Sequence, residues 1–178
     1  MRAIVVYESM FGNTHEVAER IGDGLRPSFE VEVMSVADAI AAGAPVADLV
    51  VVGGPTHAHG MSRSASRSAA AEQAEQDPEL DLEPDAADAG LRDWLRTLPR
   101  TDTSLAAAFD TRVDGPQAIT GHASKGISKR LAKHGFRLLT DGESFLVDRH
   151  NRLLDGEAER AQEWGEAVGA ACEVAAQT

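Results

Sequence analysis

Apolar residues run through this chain in two rhythms. Residues 2–7, 48–52 and 105–109 carry almost unbroken apolar runs, the pattern of strands buried on both faces. Residues 29–34 alternate, which predicts a strand with one face less buried. Residues 136–139 begin a fifth strand, and 143–147 continue or re-enter it. Between these runs the period changes to that of a helix. Over 14–25, Val17, Ala18, Ile21 and Leu25 recur on one face, with Glu16, Glu19 and Arg20 on the other. Gly22 and Gly24 weaken the end of that helix and Pro27 stops it. A short helix over 36–42 ends at Gly43 and Pro45. Helices follow over 90–98 (Leu91, Trp94, Leu95, Leu98 on one face), 123–134 (Lys125, Lys129, Arg130, Lys133 on one face) and 156–176 (Ala158, Ala161, Trp164, Val168, Cys172 as a buried stripe).

Strand and helix alternate five times, which gives a parallel sheet covered on both faces in an α/β domain. Ligands of such sheets bind outside the carboxyl ends of the strands. The loops after the first, third and fourth strands all emerge there. Residues 63–90 break the pattern. They are rich in Ser, Ala, Glu, Gln, Asp and Pro, with Leu80 and Leu82 as the large apolar residues. They read as a surface insertion in a single domain, with a helix over 64–76 and then an extended acidic piece, too long for an ordinary connection.

Composition narrows the function classes. A net charge of −12 argues against a nucleic-acid binder, which needs basic patches, and suits docking onto a basic protein surface. No apolar run approaches the roughly 20 residues of a membrane span. The N-terminus enters a strand directly without a signal-peptide pattern, so a cytoplasmic location is expected. Cys172 is the single cysteine, so no internal disulfide forms.

The chemistry concentrates in the first loop, Ser9, Met10, Phe11, Gly12, Asn13 and Thr14. A buried strand leading through hydroxyls and a glycine into a helix N-terminus offers free N–H groups and the positive end of the helix dipole to an anion. Ser9 and Thr14 serve either that anion or the helix cap. The loop has no Gly-Lys-Ser/Thr ending and no Gly-x-Gly-x-x-Gly, so it is neither a nucleoside-triphosphate loop nor a dinucleotide fingerprint. Gly53-Gly54-Pro55-Thr56-His57 and His59 lie in the loop after the third strand. His57 and His59 have no third histidine or cysteine nearby, which speaks against a metal pair. Asp110, Thr111 and Arg112 follow the fourth strand at the same sheet edge, where Asp110 and Arg112 are either ligand contacts or a local ion pair; His122 and Ser124 open a helix, with Ser124 a candidate cap.

Taken together, the chain resembles the flavodoxin-like family. The loop at 9–14 resembles the family's phosphate loop, Gly53–His57 its second flavin-contacting loop, and residues 109–112 the start of the third. The resemblance implies a three-layer sandwich with a five-stranded parallel sheet of order 2-1-3-4-5. It implies non-covalent FMN held by Ser9, Met10, Phe11, Gly12, Asn13, Thr14, Pro55, Thr56, His57, His59, Asp110, Thr111 and Arg112. It also implies electron transfer to a redox partner with a basic surface or to a small acceptor. The alternatives are an FMN-dependent NAD(P)H:quinone-type reductase and a cofactor-less binding or regulatory module. Phe11 stands where many members carry a second hydroxyl, a donor worth about 1.5–3 kcal/mol against a charged oxygen. The loops supply no Trp or Tyr to flank a flavin.

Overall fold

The computed structural model describes residues 1–57, 60–76, 82–84, 86, 89–116 and 120–177. Among them the elements run β1 (Arg2–Tyr7), α1 (Asn13–Leu25), β2 (Glu30–Ser35), α2 (Val36–Ala42), β3 (Leu49–His57), β4 (Gly60–Met61) and α3 (Ser64–Gln76). They continue with α4 (Leu91–Thr97), β5 (Leu105–Val113), α5 (Ala123–Lys133), β6 (Arg137–Leu138), β7 (Glu143–Val147) and α6 (Glu157–Ala176).

The unbroken apolar runs form the middle of the sheet. β1 pairs in parallel with β2 on one side and β3 on the other, and β3 pairs in parallel with β5. The fifth strand of the expected order is split. β6 pairs with the start of β5 and β7 with its end, both in parallel. The path is thus β2-β1-β3-β5 and then the two short pieces, a flavodoxin-like α/β topology.

Period-two alternation sends each central strand's side chains to both faces. Ala3, Val5 and Tyr7 of β1 join a core with Val17, Ile21 and Leu25 of α1 and Ala161, Val168 and Cys172 of α6. Ile4 and Val6 join the other core, with Val36 of α2, Trp94 and Leu95 of α4, and Ile127 and Leu131 of α5. Each large side chain taken fully from water gives about 1.5–3 kcal/mol. Trp164 is half-buried and packs edge-on to Phe109 and Phe145.

Glycines mark sites of close approach. α1 ends at Leu25 as its period predicts, and Gly22 and Gly24 within it lie against neighbouring elements. A Cβ on Gly24 would stand 2.2 Å from the Gln162 carbonyl oxygen of α6, and one on Gly165 2.4 Å from that of Ile21. Residues 53–57 extend β3, and Gly60–Met61 folds back antiparallel on it, pairing Thr56 with Met61 and His57 with Gly60. Gly53 is there for packing, since a Cβ would meet the Phe109 ring at 2.1 Å. β5 likewise runs on through Asp110, Thr111 and Arg112, because β7 gives that stretch a partner from Phe109 to Val113.

Candidate functional site

The carboxyl ends of β1, β3, β5 and β7 frame a pocket, and each wall follows from the element that carries it. From β1 the chain turns at Ser9, whose Oγ accepts the Gly12 N–H at 3.1 Å. Gly12 then takes φ +85°, a conformation that disfavours a side chain, and α1 begins. No side chain caps α1, and its N-terminus carries the unpaired amides that every helix start has. Ser9 therefore braces the turn and does not cap the helix. Thr14 is also not a cap. Its Oγ1 lies 2.7 Å from Thr111 Oγ1 in the buried floor between α1 and β5.

Ser9, Met10, Phe11, Asn13 and Thr14 line the pocket on this side. Pro55, Thr56 and His57 line the β3 side, and Thr111 and Arg112 the β5 side. Ten residues singled out from sequence thus converge, with Gly12 shaping the turn between them. Asp110 does not join them. It is fully buried and accepts the Ser124 N–H at 2.7 Å, while Thr56 Oγ1 accepts the Ala123 N–H at 2.9 Å. The start of α5 is therefore capped from two strands, and Ser124 is the capped residue, with His122 supplying no side-chain cap. Asp110 and Arg112 also form no ion pair. The buried Arg112 donates from Nη1 to the carbonyls of Val113 and Gly115 and to Thr120 Oγ1. His59 lies outside the described residues.

Burial sets the charge states. The His57 pKa is lowered by burial, which outweighs the pull of Glu8, so the imidazole is neutral at neutral pH. Its Nε2 is buried without a hydrogen-bond partner. Burial raises the Asp110 pKa against the bond from Ser124, and its Oδ1 is buried without a hydrogen-bond partner.

Three wall residues carry no motif. Val113 and Val147 come from the paired ends of β5 and β7, and Asn151 from the turn beyond β7. Asn13 Nδ2 donates to the Asn151 carbonyl at 2.7 Å and ties that turn to the first loop. The polar run after residue 147 signals a turn, but its distance in sequence from Asn13 hides the contact. Glu8 is a further omission, visible as a carboxylate placed directly after an apolar strand. It is buried and accepts the Leu91 N–H at 2.7 Å and the Ser62 hydroxyl. Buried Arg67 of α3 approaches Ser62 Oγ at 3.5 Å and Asp93 at 3.9 Å, so this network anchors the inserted helix beside the first loop.

The far end of the insertion reaches the same loop. Glu83 N–H donates to the Met10 carbonyl at 2.9 Å, and its carboxylate lies 3.1 Å from His15 Nδ1. His15 in turn stacks on Tyr7 at 4.6 Å. Met10 and Ala86 are buried together, with Phe11 and Leu82 packed against them. Phe11 therefore has a structural use, holding the insertion to the loop's flank.

A family model described as flavodoxin matches residues 5–164. Solved structures share the fold. An archaeal flavodoxin is 20% identical, with 97% of this chain and 99% of that chain covered and a TM-score of 0.61. Oxidised flavodoxin 1 from Bacillus cereus is 21% identical over 96% of this chain and 97% of that one, with a TM-score of 0.61. A flavodoxin, WrbA-like protein from Agrobacterium tumefaciens is 18% identical over 97% of both chains, with a TM-score of 0.60. No curated protein matches significantly by sequence. Among the described residues, no helix is long and apolar enough to cross a membrane, and no cluster of three or more His, Cys, Asp or Glu is arranged to hold a metal.

Proposed function

The chain belongs to the flavodoxin family, and on that premise we propose that it binds FMN non-covalently in this pocket and works as a redox flavoprotein that passes electrons to a partner protein or small acceptor. One observation carries the reading: the uncapped start of α1 opens where hydroxyls converge, and no lysine or arginine lies in the loop. Backbone amides at a helix start, helped by the helix dipole, suit a phosphate dianion without a cationic side chain.

The donor set fits FMN. Ser9 Oγ accepts from Gly12 and keeps its own proton to donate. One proton of the Thr14–Thr111 pair is used between the two hydroxyls, and the other is available to a ligand. Thr56, already an acceptor for Ala123, retains its hydroxyl proton as well. These groups and the amides of Phe11, Asn13 and Thr14 would hold the phosphate and polar tail. Pro55, His57 and Val113 would wall the flavin side, where bound FMN supplies the one- and two-electron chemistry. His57 presents a neutral imidazole whose unpartnered Nε2 donates or accepts according to tautomer.

The test is direct. FMN added to the protein should lose its fluorescence stoichiometrically, and denaturation should release it. A protein that neither carries nor takes up FMN refutes the reading. Rapid NAD(P)H-driven quinone reduction by the protein alone would place it among reductases; reduction only through a separate reductase would mark a carrier.

A further inference from the structure

The whole-chain charge conceals a sorting of charge between the two helical layers. In the α1/α6 layer, α6 alone carries five glutamates against Arg160. The opposite layer is basic. Lys125, Lys129, Arg130 and Lys133 lie on α5 with no carboxylate among them, and α4 adds Arg92 and Arg96 against Asp93. Lys125, Lys129 and Lys133 recur every fourth residue and are exposed, while Ile127 and Leu131 take the buried side. Among the described residues, none of the four α5 cations is in an ion pair with a carboxylate.

These charges are close together and adjoin the pocket. Arg92 Nη2 donates to the Met61 carbonyl at 2.9 Å and Nε to that of Ser62 at 2.8 Å. A Cβ on Gly126 of α5 would stand 3.3 Å from Met61 Cε and 3.8 Å from Arg130 Nη1. α4 and α5 thus both abut the hairpin in which Gly60 pairs with His57, a pocket residue. Burial lowers the Arg92 pKa, and Arg130, Arg63 and Arg96 lower it further by repulsion.

We propose that the α4–α5 face, edged by Arg63, is a docking surface for an acidic protein, which it seats against the His57 rim of the pocket. The inference rests on charge placement and does not require FMN to be bound. A molecule of net charge −12 that gathers six cations against one carboxylate on α4 and α5 is dipolar, and such a field orients an acidic partner before contact. The patch is two helices wide, which suits a folded protein. A long polyanion such as RNA would run off it onto the acidic layer.

An acidic plant-type ferredoxin, titrated at low ionic strength into the isotopically labelled protein, is the probe. Resonance shifts should centre on α5 and on Arg92 and Arg96, and binding should weaken steeply with salt. The double variant Lys129→Glu, Lys133→Glu changes only exposed positions and should weaken binding at least about tenfold. Glu163→Gln, Glu166→Gln, on the acidic layer, should leave it unweakened. Shifts centred on α1 and α6, no binding at low salt, unchanged affinity in the lysine variant, or tighter binding of an RNA oligomer or anionic vesicles at this face would each overturn the proposal.

Discussion

Thr14 and Thr111 meet hydroxyl to hydroxyl at 2.7 Å in the buried floor of the pocket, although 97 residues separate them in sequence. The bond fastens the first loop to the end of β5 and sets the width of the cleft between them. Thr111→Val keeps the shape but leaves the Thr14 hydroxyl without its partner, at a cost of about 1–3 kcal/mol. Urea unfolding should show that loss. FMN titration should show affinity falling about tenfold for Thr14→Ala, which removes a ligand-facing donor. Unchanged FMN affinity in Thr14→Ala would make this hydroxyl purely structural.

The insertion braces the loop at 9–14 from outside through the Glu83 N–H to Met10 carbonyl bond and the packing of Leu82 on the Met10 cluster. Truncating Leu82 to Ala removes part of that packing, about 1 kcal/mol for a half-buried side chain. Amide exchange at Met10 to Asn13 should speed up while exchange in β1 stays unchanged. Equal acceleration in both would mean that the insertion stabilises the whole fold and not this loop.

Asp110 yields a pH dependence. Burial raises its folded pKa, so its contribution to stability is full below the ordinary carboxylate range and is lost as pH rises through the raised value. Asp110→Asn keeps an acceptor for the Ser124 N–H and cannot ionise. Its stability relative to the parent should therefore increase from mildly acidic to neutral pH, measured by urea unfolding at each. Asp110→Ala, which also cannot ionise, should lie about 1 kcal/mol below Asp110→Asn at either pH through the missing cap. Parallel pH profiles for the Asn variant and the parent would contradict the assignment.

Gly24→Ala separates helix propensity from packing. In an exposed helix the change gains about 1 kcal/mol. Here the new methyl would stand 2.2 Å from a backbone oxygen of α6, and backbone cannot yield as a side chain can. We expect a net loss of about 1–3 kcal/mol by calorimetry or urea unfolding. A stabilised variant would show that α6 shifts freely on α1.

Legibility from sequence followed locality. The helix over 64–76, the helix over 36–42 and the split last strand are readable because period and breakers are local signals. Gly53-Gly54-Pro55 misleads because glycine and proline ordinarily mark turns; here a neighbouring strand and the Phe109 ring account for them. The motif residues converge on one pocket because a parallel sheet places successive strand ends at one edge. Asp110 stands apart from the pocket because β5 continues past it, so the pocket is framed by Thr111, Arg112 and Val113 nearer the strand's end while Asp110 holds the start of α5.

The sequence by itself determined the elements, the sheet order through family resemblance, and the loop at 9–14 as the anion-binding candidate. Only the tertiary structure decided what each hydroxyl and charge is occupied with. Ser9 braces a turn, Thr56 and Asp110 cap α5, Phe11 packs the insertion, and the cations of α4 and α5 share one layer. Periodicity is carried by neighbours in the chain, whereas hydrogen-bond partners and surface charge patches are set by residues far apart in sequence that folding brings together.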